Sequence, residues 1–83
     1  MYTHKIYVVA STVNMRDVQI ENVYDGDVFT IDSIVAGFKN KLKALKHQIS
    51  IVGNNAYIDI IDQNNELVKT YSIISKQVFL KKD

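Results

Sequence analysis

The hydrophobic positions of this chain predict one amphipathic helix among several strands. Within residues 32–47, apolar side chains recur three and four positions apart, which is the repeat of one helix face. Asp32 or Ser33 can cap the first turn, and cations collect toward the last turn, where the helix dipole favours them. Gly37 lowers helix propensity, and it indicates either a close approach to a strand or a later start. The apolar face consists of Ile34, Val35, Phe38, Leu42 and Leu45.

Before this helix, residues 3–13 predict a strand, because they are rich in β-branched and aromatic side chains. Apolar residues occupy both faces, which is typical of a strand in the centre of a sheet. One face carries Ile6 and Val8, and the other carries Tyr7 and Val9.

Residues 16–24 predict a second strand, which alternates between apolar and polar positions. Val18 and Ile20 should face the core, and the acidic side of the strand should face solvent. A polar break near Asn14 predicts a hairpin between the first two strands. The Asp25-Gly26 pair predicts a tight turn into a short third strand over residues 27–31.

Extended structure returns after the helix. Residues 47–52, 56–61 and 66–74 predict three strands, separated by polar turns at residues 53–55 and 62–65. Residues 78–80 predict either a short final strand or a tail that packs across the core. The predicted fold is α+β, with an antiparallel sheet of five to six strands in the order β-β-β-α-β-β. One amphipathic helix packs on one face, and the chain forms one domain over residues 1–83.

Composition restricts the chemistry that this chain can perform. It has no cysteine, so disulfides, thiolate zinc sites and cysteine nucleophiles are excluded. No apolar segment approaches the roughly 18 residues needed to cross a bilayer, so we expect a soluble, cytoplasmic protein without a membrane contact. No serine lies in a nucleophile elbow, no glycine-rich phosphate loop exists, and the acids around Asp25 lack calcium-loop spacing. We therefore expect no catalytic residue, no metal and no cofactor.

The positive charge is concentrated in the predicted helix. Residues 32–47 carry a net charge of +3, whereas the remainder of the chain carries −2. Lys39, Lys43, Lys46 and His47 are therefore candidate contacts for RNA, single-stranded DNA or another anion. The alternative is that these lysines only form a solvated helix face.

One helix cannot cover both faces of a sheet of this size, which indicates a partner protein or self-association. No proline protects any strand, so edge-to-edge pairing is a further route to association. Tyr7, Tyr57 and Tyr71 lie on predicted strands and are candidate partner contacts; each could instead border the core. The function favoured by these features is a small non-catalytic protein-binding module, with nucleic-acid binding as the alternative.

The composition adds one indication. Ile, Lys and Asn supply 27 of the 83 residues. In this bias the chain resembles the small accessory proteins of AT-rich bacteriophages, several of which bind a host factor. The resemblance is compositional and covers no motif, and it implies a regulator or inhibitor of a host protein.

Overall fold

A computed structural model describes residues 2–12 and 16–79. These residues form a five-stranded antiparallel sheet with one helix on one face, which confirms the predicted α+β class. The order across the sheet is β2-β1-β5-β4-β3. The elements are β1 (Tyr2–Thr12), β2 (Val18–Asp25), α1 (Ile31–Lys41), β3 (His47–Val52), β4 (Asn55–Ile61) and β5 (Leu67–Phe79).

The central position predicted for the first strand is confirmed. β1 lies between β2 and β5 and pairs with both in antiparallel register. Its pairing with β5 runs from Tyr2 opposite Phe79 to Thr12 opposite Lys69. β2 and β3 form the two edges of the sheet. The predicted hairpin apex near Asn14 lies outside the described residues, although β1 and β2 do pair as a hairpin requires.

The predicted third strand over residues 27–31 is wrong. The Asp25 carbonyl accepts hydrogen bonds from the Val28 N–H at 3.1 Å and the Phe29 N–H at 2.9 Å. The Asp25 carboxylate accepts the Asp27 N–H at 2.9 Å. These bonds bend the chain back directly after β2, so it enters the helix without pairing as a strand. The predicted order β-β-β-α-β-β is therefore wrong, since two of the five strands in the described residues precede the helix and three follow it. Residues 67–79 form one long β5 in place of a shorter strand and a separate final one.

α1 begins earlier and ends earlier than the sequence predicts. Thr30 is the N-cap, and its hydroxyl accepts the Ser33 N–H at 3.1 Å while the Ser33 hydroxyl accepts the Thr30 N–H. The last helical hydrogen bond runs from the Leu42 N–H to the Phe38 carbonyl at 2.8 Å. Leu45, which was predicted on the apolar helix face, lies beyond the end of α1 and is exposed. Residues 47–52 pair with β4 instead, because the ladder satisfies their backbone groups.

The core lies between α1 and the three inner strands. Its fully buried side chains come from alternate positions of β1, β4 and β5, together with two positions of the helix and Leu42 behind it. The turns predicted at residues 53–55 and 62–65 are confirmed, and Gly53 and Asn65 adopt positive φ angles of 60° and 62°. The core residues are Ile6, Val8, Ile34, Val35, Leu42, Ala56, Ile58, Ile60 and Ile73.

Candidate functional site

The sheet face opposite α1, here called the open face, is the main candidate surface. Along β1 and β4, buried residues alternate with residues that point to the open face, and on β5 the buried residue is Ile73. α1, the one helix among residues 2–12 and 16–79, packs on the other face. The open face therefore has no second layer of secondary structure among the described elements.

The strand register aligns side chains of the open face in rows across the sheet. We name four rows after one member each, and successive rows lie two residues apart along β1. The tyrosine row and the valine row cross all five strands. The tyrosine row is Val23, Tyr7, Ile74, Asn55 and Val52, and the valine row is Ile20, Val9, Ser72, Tyr57 and Ser50.

The two central rows expose apolar surface, most of all at the sheet edges. Ile20 is 62% exposed on β2, and Val52 is 63% exposed on β3. Tyr7, Val9 and Ile74 are half-buried between them. Seven of the ten positions in these adjacent rows carry apolar or tyrosine side chains, and the polar ones are Asn55, Ser72 and Ser50. The two rows therefore form a largely apolar band from one edge of the sheet to the other. Such bands on a sheet face are typical of a surface that another molecule covers.

The orientation of β2 reverses the prediction made from its alternation. Val18 and Ile20 were expected to face the core, yet both are exposed, with Val18 at 52%. Glu21 instead lies on the helix side, where its carboxylate is 3.6 Å from the Lys69 ammonium. The register shift between Val8 and Val9 places an extra residue in β2 at this point. The apolar side of β2 thus belongs to the open face.

Charged rows border the apolar band on both sides. The lysine row combines Lys5 and Lys76, which are directly opposite each other, with Asp25 across from Lys5. The row beyond the valine row, here the aspartate row, carries one acid, Asp59. Its carboxylate accepts the Thr70 hydroxyl at 2.9 Å. The aspartate row is Val18, Ser11, Thr70, Asp59 and Gln48.

The three candidate tyrosines do not share one surface. Tyr7 and Tyr57 belong to the two central rows of the open face. Tyr71 lies on the helix side, where its ring centroid is 4.9 Å from that of Phe38. The Lys69 ammonium lies 4.8 Å from the Tyr71 centroid. A side-chain hydrogen bond with Tyr71 raises the pKa of Lys69 above its ordinary value, against a smaller opposing effect of burial, and Glu21 raises it further.

A groove on the helix side separates α1 from β2. Its volume is about 520 Å³, and rings of Tyr24, Phe29, Phe38 and Tyr71 contribute to its walls. The Tyr24 and Phe29 rings meet edge to face, with centroids 5.0 Å apart. The groove exists because the helix packs over the inner strands and leaves edge strand β2 beside it.

The predicted basic stripe is divided among three segments. Lys39 lies in α1, and Lys43 lies in the turn that follows. Lys46 directly precedes β3, and His47 is the first residue of that strand. The Lys46 ammonium donates to the Asn65 side chain, and His47 Nδ1 lies 2.7 Å from the Leu45 carbonyl. Because the helix ends at Lys41, the four candidates do not share a helix face.

The described residues contain no cluster of three or more side chains suited to holding a metal ion. Over the same ranges, no helix has the length and apolar content to cross a bilayer. Comparisons with known proteins found no matching family model, no matching curated protein and no matching solved structure.

Proposed function

We propose that this chain is a small, non-catalytic, cytoplasmic protein-binding module that contacts its partner through the open face. The observation that supports this proposal is the largely apolar band of the tyrosine and valine rows. Water borders this band in the isolated chain, whereas the opposite face is covered by α1. Covering exposed apolar side chains supplies most of the free energy of protein association.

The composition of the band suits a protein interface. Ile20 and Val52 are exposed aliphatic side chains that together could contribute about 3–6 kcal/mol when fully covered. Tyr7 and Tyr57 add aromatic rings with a polar hydroxyl, a combination enriched among the residues that dominate binding energy. The lysine and aspartate rows form a polar rim around the apolar centre, as in typical interfaces.

A partner of different sequence would make the chain a regulator or inhibitor of that partner. Its small size and its composition, which resembles that of bacteriophage accessory proteins, support this version of the proposal. The open face would then cover a complementary apolar surface of a host protein.

Photo-crosslinking tests the proposal directly. Tyr57 is replaced with the photoreactive benzoylphenylalanine, which resembles tyrosine in shape, and cells that produce the variant are irradiated. We expect a covalent adduct of defined mass. The matched control places the same probe at Ala36, an exposed position of α1. Absence of an adduct from Tyr57, or equal adducts from both positions, would contradict the proposal.

The second candidate function is binding of RNA or single-stranded DNA. Lys39 and Lys41 at the end of α1 and Lys43 in the following turn are all exposed, and they support this alternative. Three phosphate contacts would make log affinity fall with log salt concentration at a slope of about −2. Protein purified at low salt should then carry nucleic acid that absorbs near 260 nm. A spectrum with tyrosine absorption alone would remove this candidate, because five tyrosines and no tryptophan leave bound nucleic acid easily visible.

A further inference from the structure

We propose that the partner of the open face is a second copy of this chain, so that two sheets pack face to face in a symmetric dimer. This inference rests on the proposed function, because it names the occupant of the same surface. It is supported by the area of the open face, by the charged rows on both sides of the apolar band, and by the side-chain pattern of β2.

The open face is large enough for a stable dimer. Three rows cross five strands and the lysine row crosses three, and spacings of about 4.8 Å between strands and 6.8 Å between rows then give a surface of roughly 590 Å² on each copy. Two copies would bury about 1,200 Å² in total, which is at the lower end of the range of specific interfaces. On the helix side, α1 already covers the centre of the sheet.

The charged rows select one arrangement of the two copies. A two-fold axis in the plane between the sheets can run along the strands or across them. An axis along the strands would place Lys5 and Lys76 of one copy near the same lysines of the other. An axis across the strands, between the tyrosine and valine rows, reverses the strand direction. It then places the lysine row of each copy over the aspartate row of the other, with every strand over the same strand, so that Lys76 faces Thr70 and Asp59 lies one strand to the side.

This second arrangement reduces a repulsion between two lysines and covers apolar side chains, both of which are unfavourable in the isolated chain. Lys5 and Lys76 are directly opposite neighbours, and like charges at such positions destabilise a sheet. The approach of Asp59 from the other copy would reduce that repulsion, and the same contact would form twice by symmetry. The axis also places the tyrosine row of each copy over the valine row of the other, so that apolar side chains meet in the centre.

β2 supplies an independent reason. Its alternation is that of a strand with one buried face, yet its apolar residues Val18, Ile20 and Val23 are all exposed in the single chain. A second sheet over the open face would cover them. Pairing of two β2 edges within one continuous sheet would satisfy backbone groups but would leave these side chains exposed.

Sedimentation equilibrium at a series of concentrations tests the dimer. The natural chain should sediment at about 19 kDa, twice its mass of 9.5 kDa, at tens of micromolar. Lys76→Glu should weaken dimerisation at least tenfold, since it places a carboxylate over the aspartate row. Adding Asp59→Lys to that variant should restore most of the affinity. The matched control is Lys43→Glu, which makes the same charge change at an exposed turn position and should leave the mass unchanged.

Lys76→Glu is not expected to impair folding, because Lys76 is exposed and the substitution replaces a like-charge pair with Lys5 by an opposite-charge pair. A mass of 9.5 kDa for the natural chain at tens of micromolar would overturn the dimer. A dimer unaffected by Lys76→Glu would overturn the face-to-face arrangement. In either case, an adduct of Tyr57 with another protein would preserve the proposed function, whereas absence of any adduct would overturn both.

Discussion

At the scale of single residues, Gly26 is constrained by the space around it. Its N–H donates to the His4 carbonyl at 2.8 Å, at the point where β2 ends beside β1. A Cβ on Gly26 would lie 2.7 Å from the His4 Cβ and 3.0 Å from the His4 carbonyl carbon and oxygen. A positive φ angle does not explain why residue 26 is glycine, because among the described glycines it is Gly53 that has a positive φ. The close approach of two strands excludes a side chain here.

Gly26→Ala should lower the free energy of unfolding by about 1–3 kcal/mol, because the backbone of one strand must move to admit the methyl group. Urea denaturation followed by circular dichroism measures the change. An unfolding free energy equal to that of the natural chain would show that the strands can separate here without cost.

Gly37→Ala is the matched control and should have the opposite sign. A Cβ on Gly37 would have no neighbour within 4 Å, and Ala is favoured over Gly in a helix by about 1 kcal/mol. Neither sequence-based reason for this glycine holds, because α1 begins before it and no strand lies close to it. The same urea experiment should show a more stable protein; a destabilised variant would contradict this account of Gly37.

At the scale of elements, α1 depends on its N-terminal cap. Thr30 and Ser33 exchange two side-chain to backbone hydrogen bonds, both 3.1 Å long. Thr30→Ala should lower the free energy of unfolding by about 0.5–2 kcal/mol, since one N–H of the first turn loses its acceptor. Thr30→Ser keeps the hydroxyl and should retain most of the stability. If the two variants were equally stable in urea, the capping bond would contribute nothing.

The inner and edge strands should respond differently to the same substitution. Ile58 on β4 is 0% exposed, whereas Ile51 on β3 is 61% exposed, although both point to the helix side. Ile58→Ala should lower the unfolding free energy by about 2–5 kcal/mol through lost burial and a residual cavity. Ile51→Ala should change it by less than about 0.5 kcal/mol. Equal losses in urea denaturation would contradict the assignment of the core.

At the scale of the whole molecule, residues 2–12 and 16–79 form two layers and leave one face of the sheet without a second layer. Its shortest dimension is 20 Å, which matches one sheet and one helix packed about 10 Å apart. The 11 residues of α1 extend for only about 16 Å, while the longest dimension of the molecule is 52 Å. Much of the sheet is therefore bordered by water unless a second molecule covers it.

If a second copy covers the open face, thermal stability should depend on protein concentration. Each tenfold increase in protein concentration adds about 0.7 kcal/mol per chain to the free energy of unfolding, because unfolding then releases two chains from one dimer. For a domain of this size, this corresponds to a rise in Tm of roughly 3–6 °C. Differential scanning calorimetry over a hundredfold range measures the slope. A constant Tm would contradict a dimer in which dissociation accompanies unfolding.

The local patterns were sufficient for much of the fold. Apolar spacing identified the helix, because side chains three and four positions apart share one face at any position in a protein. The apolar residues on both faces of β1 identified it as a central strand. Glycine and asparagine at residues 53–55 and 62–65 identified two turns, because these residues tolerate the positive φ angles that such turns use.

Alternation along β2 identified a strand with an apolar side, but it did not determine whether that side would lie on the helix side of the sheet or on the open face. Val18 and Ile20 point away from α1 because the register shift between Val8 and Val9 places Ile20 opposite Val9 and Val18 opposite Ser11. The same limit applies to the candidate tyrosines, since only the register separates Tyr7 and Tyr57 from Tyr71.

The sequence by itself determined the element types in this protein, because propensity and periodicity act over a few neighbouring residues. Tertiary structure decided the strand order and the end of α1 at Lys41, because both depended on partners distant in sequence. The absence of a strand over residues 27–31 came instead from a local turn that the residue pattern did not reveal. Pairing with β4 holds residues 47–52 in an extended conformation. Hydrogen bonds to the carbonyl of Asp25 bend the chain toward the helix. The open face likewise exists only once the helix has packed on one side of the sheet.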